Sequence, residues 1–254
     1  MKRTLYYLWV VLLPFFSAFG QNEARFQKAT EAYNKGNYEA AIAQYDSIIK
    51  TGQHSAALYF NMGNCHYKLD RIGPSIYYFE KALLLSPNDQ EIRNNLGFAQ
   101  NMRLDAIEEM PKTAMSRLWE SVVLALTFDQ WAYMAVFMIF LFVLCFVIYY
   151  MLNLAIRKRW AFLLAFTALF VGIFSLTMAY MAEKDFQADS PAIIFDREIS
   201  VNAEPNERSE TVFALHEGTK VNVIASLDAW HKIQIADGQT GWIPAESIRL
   251  IKDF

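Results

Sequence analysis

The sequence predicts a multidomain membrane protein: an α-helical solenoid, a two-helix transmembrane hairpin and a small all-β barrel. Three observations carry that expectation. Two apolar runs, Trp131 to Ile156 and Trp160 to Ala182, hold no Asp, Glu, Lys or Arg and are separated only by Arg157, Lys158 and Arg159. Before them, residue types recur at a shift of 34 positions. After Asp185, short runs alternate apolar and polar residues at the period of a strand.

Composition bounds what these segments do. The chain has 254 residues, 54% hydrophobic and 15% aromatic, and the hairpin raises both figures. A net charge of −3 lacks the basic footprint of a nucleic-acid binder, so no nucleic-acid partner is expected. Residues 1–20 read as a signal peptide. Lys2 and Arg3 form its charged start, Leu5 to Phe16 its apolar stretch, and Ala18 and Gly20 the small residues before a cleavage point at Gln21. Whether it is cleaved stays open. Cys65 and Cys145 lie in segments of different membrane depth, so they form no disulfide framework and read as small buried side chains.

The first soluble segment, 22–108, is helical by its repeat. Ala29, Gly63 and Gly97 recur at the 34-residue interval, as do Phe26 with Phe60, Tyr33 with Tyr67, Tyr45 with Phe79 and Ala41 with Ser75. Small residues at that period mark the crossings of stacked helix pairs. The stretch from Tyr59-Phe60-Asn61-Met62-Gly63 to Lys68 resembles the first helix of a tetratricopeptide repeat (TPR). Phe79, Ala82 and Pro87 resemble its second helix and terminating proline. Gly36-Asn37-Tyr38-Glu39-Ala40 is similar to its inter-helix turn. The expected units are repeats 22–55 and 56–89 and a closing helix 90–108. Two positions depart from the pattern: Gln53 stands where a proline is usual, and Gly73-Pro74 occupies the second turn. Pro74 is tolerable there because a helix's first turn leaves its N–H groups unbonded.

Such a stack makes a concave groove lined by the first helix of each repeat. In the family's geometry, the groove positions fall on Phe26, Thr30, Tyr33 and Asn34 in repeat one. Phe60, Asn64, Tyr67 and Lys68 continue the stripe, and Asn94, Phe98 and Asn101 finish it. Aromatics mixed with amides suit an extended or helical peptide. The same aromatics would equally serve packing between helices, with the amides solvated.

Each apolar run exceeds the roughly 20 residues that cross a bilayer. The expected spans are 131–156 and 160–182, with 157–159 as a cytoplasmic loop: Arg157, Lys158 and Arg159 set the topology by the positive-inside rule. Both soluble segments then share the opposite face. Residues 109–130 form a linker in which 116–128 is expected to lie as an interfacial helix, with Asp129 held at the membrane surface. No ionisable residue lies within either span, which argues against transport by the hairpin. Thr167, Gly172, Ser175 and Thr177 face either a partner helix or the other half of the hairpin.

The last segment, 188–252, reads as five or six short strands. Ile193-Ile194-Phe195, Ile199-Ser200-Val201, Lys220 to Ile224, Trp230 to Ile235, Gly241 to Pro244 and Ile248 to Ile251 are the runs, and Asp237-Gly238 is a hairpin turn. Leu215 to Val221, Trp230, Ala236-Asp237-Gly238 and Gly241-Trp242-Ile243 together resemble a bacterial SH3-like domain. Asn202 departs from it, standing where the family commonly has arginine. The resemblance implies binding of cell-wall peptides or protein segments, with Phe213, Trp230, Trp242 and the loop Glu204–Thr211 as candidates. Trp230 and Trp242 are equally readable as large core residues of a small barrel.

In the order and spacing of its modules the whole chain resembles the BatE-like aerotolerance family of Bacteroidetes. That resemblance implies a scaffold of an envelope complex at the inner membrane, both soluble domains periplasmic. Its implied partners are membrane von Willebrand A-domain proteins and a MoxR-type ATPase system, with peptidoglycan as a further ligand. A cell-wall sensor using the SH3-like domain is the alternative. No catalytic residue, metal ligand or cofactor site is expected: His54, His66, His216 and His231 lack ligand spacing, and no nucleophile or phosphate-loop motif occurs.

Overall fold

The computed structural model describes residues 21–108, 110–111, 113–123 and 125–253; the signal-peptide reading of 1–20 lies outside them. The chain divides into two compact units, Met1–Glu109 with Ser190–Phe254, and Met110–Asp189. The stretches before and after the apolar helices therefore build one body, and the hairpin is an insertion within it.

In the first unit, α1 is described over 21–34, followed by α2 (Tyr38–Ile49), α3 (Ala56–Lys68), α4 (Ile72–Leu85) and α5 (Gln90–Gln100). Small residues set the crossings. A Cβ on Gly63 would lie 2.6 Å from the Phe79 ring, so only glycine lets α3 and α4 approach this closely. Ser75 donates its hydroxyl to the Gly63 carbonyl at 3.1 Å across the same crossing. Ala29, Ala41, Tyr45, Leu58, Met62 and Cys65 fill the core of the first repeat. Gln53, the departure from the repeat's proline, accepts the Asn22 amide at 2.8 Å and ties the start of α1 to the α2–α3 turn. Pro74 sits in the first turn of α4.

The closing helix is shorter than the sequence predicts. It ends at Gln100 rather than 108, and the chain turns at Asn101 and Met102 before Asp105 is taken up by the barrel. Gly97 meets nothing within 4 Å among the described residues, because no further helix crosses α5 there.

The barrel is a seven-stranded antiparallel sheet in the order β3-β2-β6-β5-β4-β1-β7. Its strands are β1 (Pro191–Ile194), β2 (Glu198–Asn202), β3 (Thr211–His216), β4 (Lys220–Leu227), β5 (Trp230–Gln234), β6 (Thr240–Pro244) and β7 (Ile248–Leu250). Ala192, Ile194, Val201, Leu215, Val221, Ile233 and Ile243 form its core. Strand β3 was not among the expected runs. Val212, Phe213, Ala214 and Leu215 are consecutively apolar, so the stretch lacks alternation, and it lies at a sheet edge paired only with β2.

In the second unit, α6 (Ala114–Val123), α7 (Phe128–Met151) and α8 (Ala155–Ala188) follow in order. The last two are long and apolar enough to cross a membrane. Thr127 and Gln130 form a capping box that starts α7 at Phe128, three residues before the expected start, with Asp129 in the first turn. Helix α6 ends at Val123, so the expected interfacial helix does not run through to 128; the buried Trp131 indole donates to the Val123 carbonyl at 3.0 Å. The hairpin turn also moves. Leu152 and Leu154 are extended and end α7, so the turn is 152–154, and Arg157, Lys158 and Arg159 lie within the start of α8 instead of in a loop. Ala161, Ala165, Ala168, Gly172 and Ser175 form the buried stripe of α8, where a Cβ on Gly172 would lie 3.4 Å from that of Met138. Thr167 and Thr177 are exposed.

Candidate partner-binding surfaces

Three surfaces of the first unit bear chemistry: the groove helices of the stack, the outer face of the barrel, and the seam between stack and barrel.

The groove residues divide by environment. On α1, Phe26 packs edge-on against Tyr45 at 5.4 Å and Tyr33 against Tyr38 at 5.3 Å. The Thr30 hydroxyl donates to the Phe26 carbonyl at 3.0 Å and sits 3.2 Å from the Tyr45 hydroxyl. Phe60 packs on Phe79, and Tyr67 lines the second-repeat core. These five are half-buried and serve the stack as well as its surface. Asn34, Lys68, Asn94, Phe98 and Asn101 are exposed, and Asn64 is half-buried. Phe98 stands out at 60% exposure, since an aromatic left in water gains nothing from the fold that carries it. Asn94 accepts a hydrogen bond from Gln90 at 3.0 Å.

On the barrel, register decides the faces. Lys232 pairs with Trp242, and Trp230 with Pro244, across β5 and β6. Gly241 and Ile243 point into the core, so Trp242 points away from it. Trp230 and Trp242 therefore share one face as diagonal neighbours. Phe213 does not join them: it pairs with the core residue Val201 and packs on the inner side. The loop Glu204–Thr211 is organised locally, with Asn202 donating its amide to the Asn206 carbonyl at 3.0 Å. That amide occupies the position where an arginine was expected.

No motif announced the seam. Ile193 and Ile251 of the sheet lie fully inside a core made with Ile76, Tyr77, Phe79, Leu96 and Ala99 of α4 and α5. Phe195 packs edge-on against Tyr77 at 5.4 Å. Three polar links surround this core. Lys220 pairs with the buried Glu80 at 2.8 Å. Lys81, itself buried, pairs with Asp253, which also accepts the Tyr77 hydroxyl at 2.8 Å. Asp105 takes the His216 backbone N–H at 2.7 Å, the His216 ring Nδ1 at 2.7 Å and the Thr219 hydroxyl at 2.6 Å.

Electrostatics follow from these contacts. Burial alone would raise the Asp105 carboxyl, but the hydrogen bonds from Thr219 and His216 outweigh it and hold it below its usual value. The Asp105 hydrogen bond raises the His216 imidazole, with further help from the carboxylates of Asp105 and Glu198. His66 behaves oppositely. It stacks on Tyr78 at 5.3 Å within α3 and α4, and burial, aided by the Arg71 charge, pushes its pKa down to about 4. Burial pushes the Cys65 thiol up to about 12, where it is inert as a nucleophile. These residues escaped a sequence reading because their partners lie far apart in the chain; 111 positions separate Asp105 from His216.

Comparison with known proteins agrees with this division. Residues 56–89 match the tetratricopeptide repeat family and residues 199–249 the bacterial SH3 domain family. Over 72 residues the chain is 26% identical to Tetratricopeptide repeat protein 16 of Homo sapiens and of Macaca fascicularis, and 29% identical to that of Mus musculus. The match covers 28% of this chain but only 8–9% of those relatives.

Proposed function

We propose that this chain is a membrane-anchored adaptor whose stack and barrel act as one protein-binding platform on the periplasmic side of a bacterial inner membrane. The observation that carries the reading is the seam. Segments before and after the hairpin share a core around Ile193, Ile251, Tyr77 and Leu96, so both must lie on the same side of any bilayer the hairpin crosses. That requires an even number of crossings, and the two apolar helices provide two. Arg157, Lys158 and Arg159 support the orientation. Cations at a helix start oppose the helix dipole, so helix electrostatics do not account for them, whereas retention on the cytoplasmic side does.

Tetratricopeptide repeats and SH3 domains are binding modules, and the role is therefore binding rather than catalysis. A partner segment lies along α1, α3 and α5, contacting Asn34, Asn64, Lys68 and Phe98. The module order supports a place in an aerotolerance-type envelope complex, with membrane von Willebrand A-domain proteins and a MoxR-type ATPase system as the partner classes. Affinity capture of the full chain from solubilised membranes tests this. Phe98→Ala with Lys68→Ala should lose the captured partner while the protein still melts as the wild type does; unchanged capture would sink the groove assignment.

A second reading rests on the shared face of Trp230 and Trp242, two amphipathic aromatics side by side outside the core. It gives the barrel a cell-wall ligand. Co-sedimentation of the solubilised chain with purified peptidoglycan, abolished by Trp242→Ala, is its expected result.

A further inference from the structure

Lys81 is a cation fixed inside the protein. Its side chain is 5% exposed, and Nζ lies 4.8 Å from the centre of the Tyr59 ring and 5.2 Å from that of Tyr77. The Tyr77 hydroxyl accepts from Nζ at 3.3 Å and donates to Asp253 Oδ2 at 2.8 Å. Asp253 Oδ1 is the counter-charge. The pair is lopsided: Asp253 is 44% exposed, and water reaches it where water does not reach Lys81. A buried ammonium stripped of its carboxylate is strongly disfavoured. The site thus demands an anion, yet its present anion sits at the surface. Ile251, two residues earlier, is 2% exposed and packs with Ile76 and Tyr77, so one short segment delivers an apolar and an acidic side chain to the same stretch of α4.

We propose that the Lys81–Tyr77–Tyr59 site is a receptor for a carboxylate carried on a protein segment with an apolar residue two positions before the acid. The Ile251-Lys252-Asp253 segment of this chain is its resident, exchangeable occupant. A partner protein presenting the same pattern displaces Asp253 and loosens the barrel from α4. This site lies on α4, away from the groove helices α1, α3 and α5, and does not depend on the groove reading.

The test uses the full chain in detergent micelles. Asp253→Ala should melt below the wild type. Acetate should raise its melting temperature where chloride at equal ionic strength does not, and the wild type should be indifferent. A fluorescent peptide of sequence Arg-Leu-Ile-Lys-Asp should bind Asp253→Ala at least about ten-fold more tightly than the wild type. Replacing the peptide's Asp by Asn, or adding Lys81→Met to the protein, should abolish both effects. A folded Asp253→Ala that responds to neither probe overturns the proposal, as does a response that survives Lys81→Met. Should Asp253→Ala fail to fold, the isosteric Asp253→Asn takes its place under the same outcomes. A wild-type dimer that Asp253→Ala dissociates would assign the segment to a second copy and overturn the partner.

Discussion

Gly73 of α4 and Gly218 of the turn before β4 meet backbone to backbone where the stack touches the barrel. A Cβ on Gly73 would lie 3.5 Å from the Gly218 amide nitrogen and 3.1 Å from the Ile194 carbonyl oxygen. One on Gly218 would lie 2.9 Å from Ile76 Cδ1, and Gly218 also holds φ at +82°. The two glycines let a helix start rest directly on a strand turn, which is how the halves of the first unit come close enough to share a core.

Substituting Gly218 should therefore cost twice over. Gly36 has a similar φ of +79° but nothing within 4 Å, so Gly36→Ala reports backbone strain alone. Its expected cost is about 1 kcal/mol. Gly218→Ala should cost about 2–4 kcal/mol, the excess being the price of displacing Ile76. Urea denaturation of both variants measures the difference; equal midpoints would remove the seam from the explanation.

Asp105 gathers three donors of the barrel, so its removal leaves the His216 and Thr219 groups without their acceptor. Asp105→Ala should destabilise the first unit by about 2–3 kcal/mol, the range for hydrogen bonds to a charged group. Hydrogen exchange should speed up at His216 and Thr219 before it does in the α1–α2 core. Uniform acceleration would mean that Asp105 is not the local clasp.

The two histidines should divide the pH profile. His66 has a depressed pKa of about 4 against an ordinary 6.5. Its contribution is complete above about pH 6.5 and is lost as pH falls toward 4, in total about 3 kcal/mol. His216 is raised, so its contribution is complete below 6.5 and is lost as pH rises through the elevated value. Urea midpoints across pH 4–8 should show both limbs. His66→Phe should flatten only the acid limb and Asp105→Asn only the neutral one.

Much of the fold was legible in local patterns. The spacing of Ala29, Gly63 and Gly97 marked the repeat, and charge-free runs marked α7 and α8 because both signals are written in adjacent residues. Bounds were less secure: nothing in the charges of Arg157 to Arg159 says that the turn lies at 152–154, since Leu152 and Leu154 look like further span. Strand β3 hid because an edge strand with consecutive apolar residues has no alternation to read. The seam was invisible. Lys81, Asp105 and Gly218 are ordinary in their own neighbourhoods, and their meaning comes from residues more than a hundred positions away.

The central claim is that stack and barrel form one body across the inserted hairpin. A Cβ on Gly73 would lie 3.6 Å from that of Glu217, within disulfide reach of about 3.5–4.5 Å. With Cys65 and Cys145 replaced by alanine, Gly73→Cys and Glu217→Cys should oxidise to a disulfide in intact membranes. A protease site placed in the 152–154 turn then reads the result. The account predicts that the cleaved halves stay joined on a non-reducing gel and part only with reductant. Halves that separate without reductant, while both thiols remain open to maleimide, would contradict it.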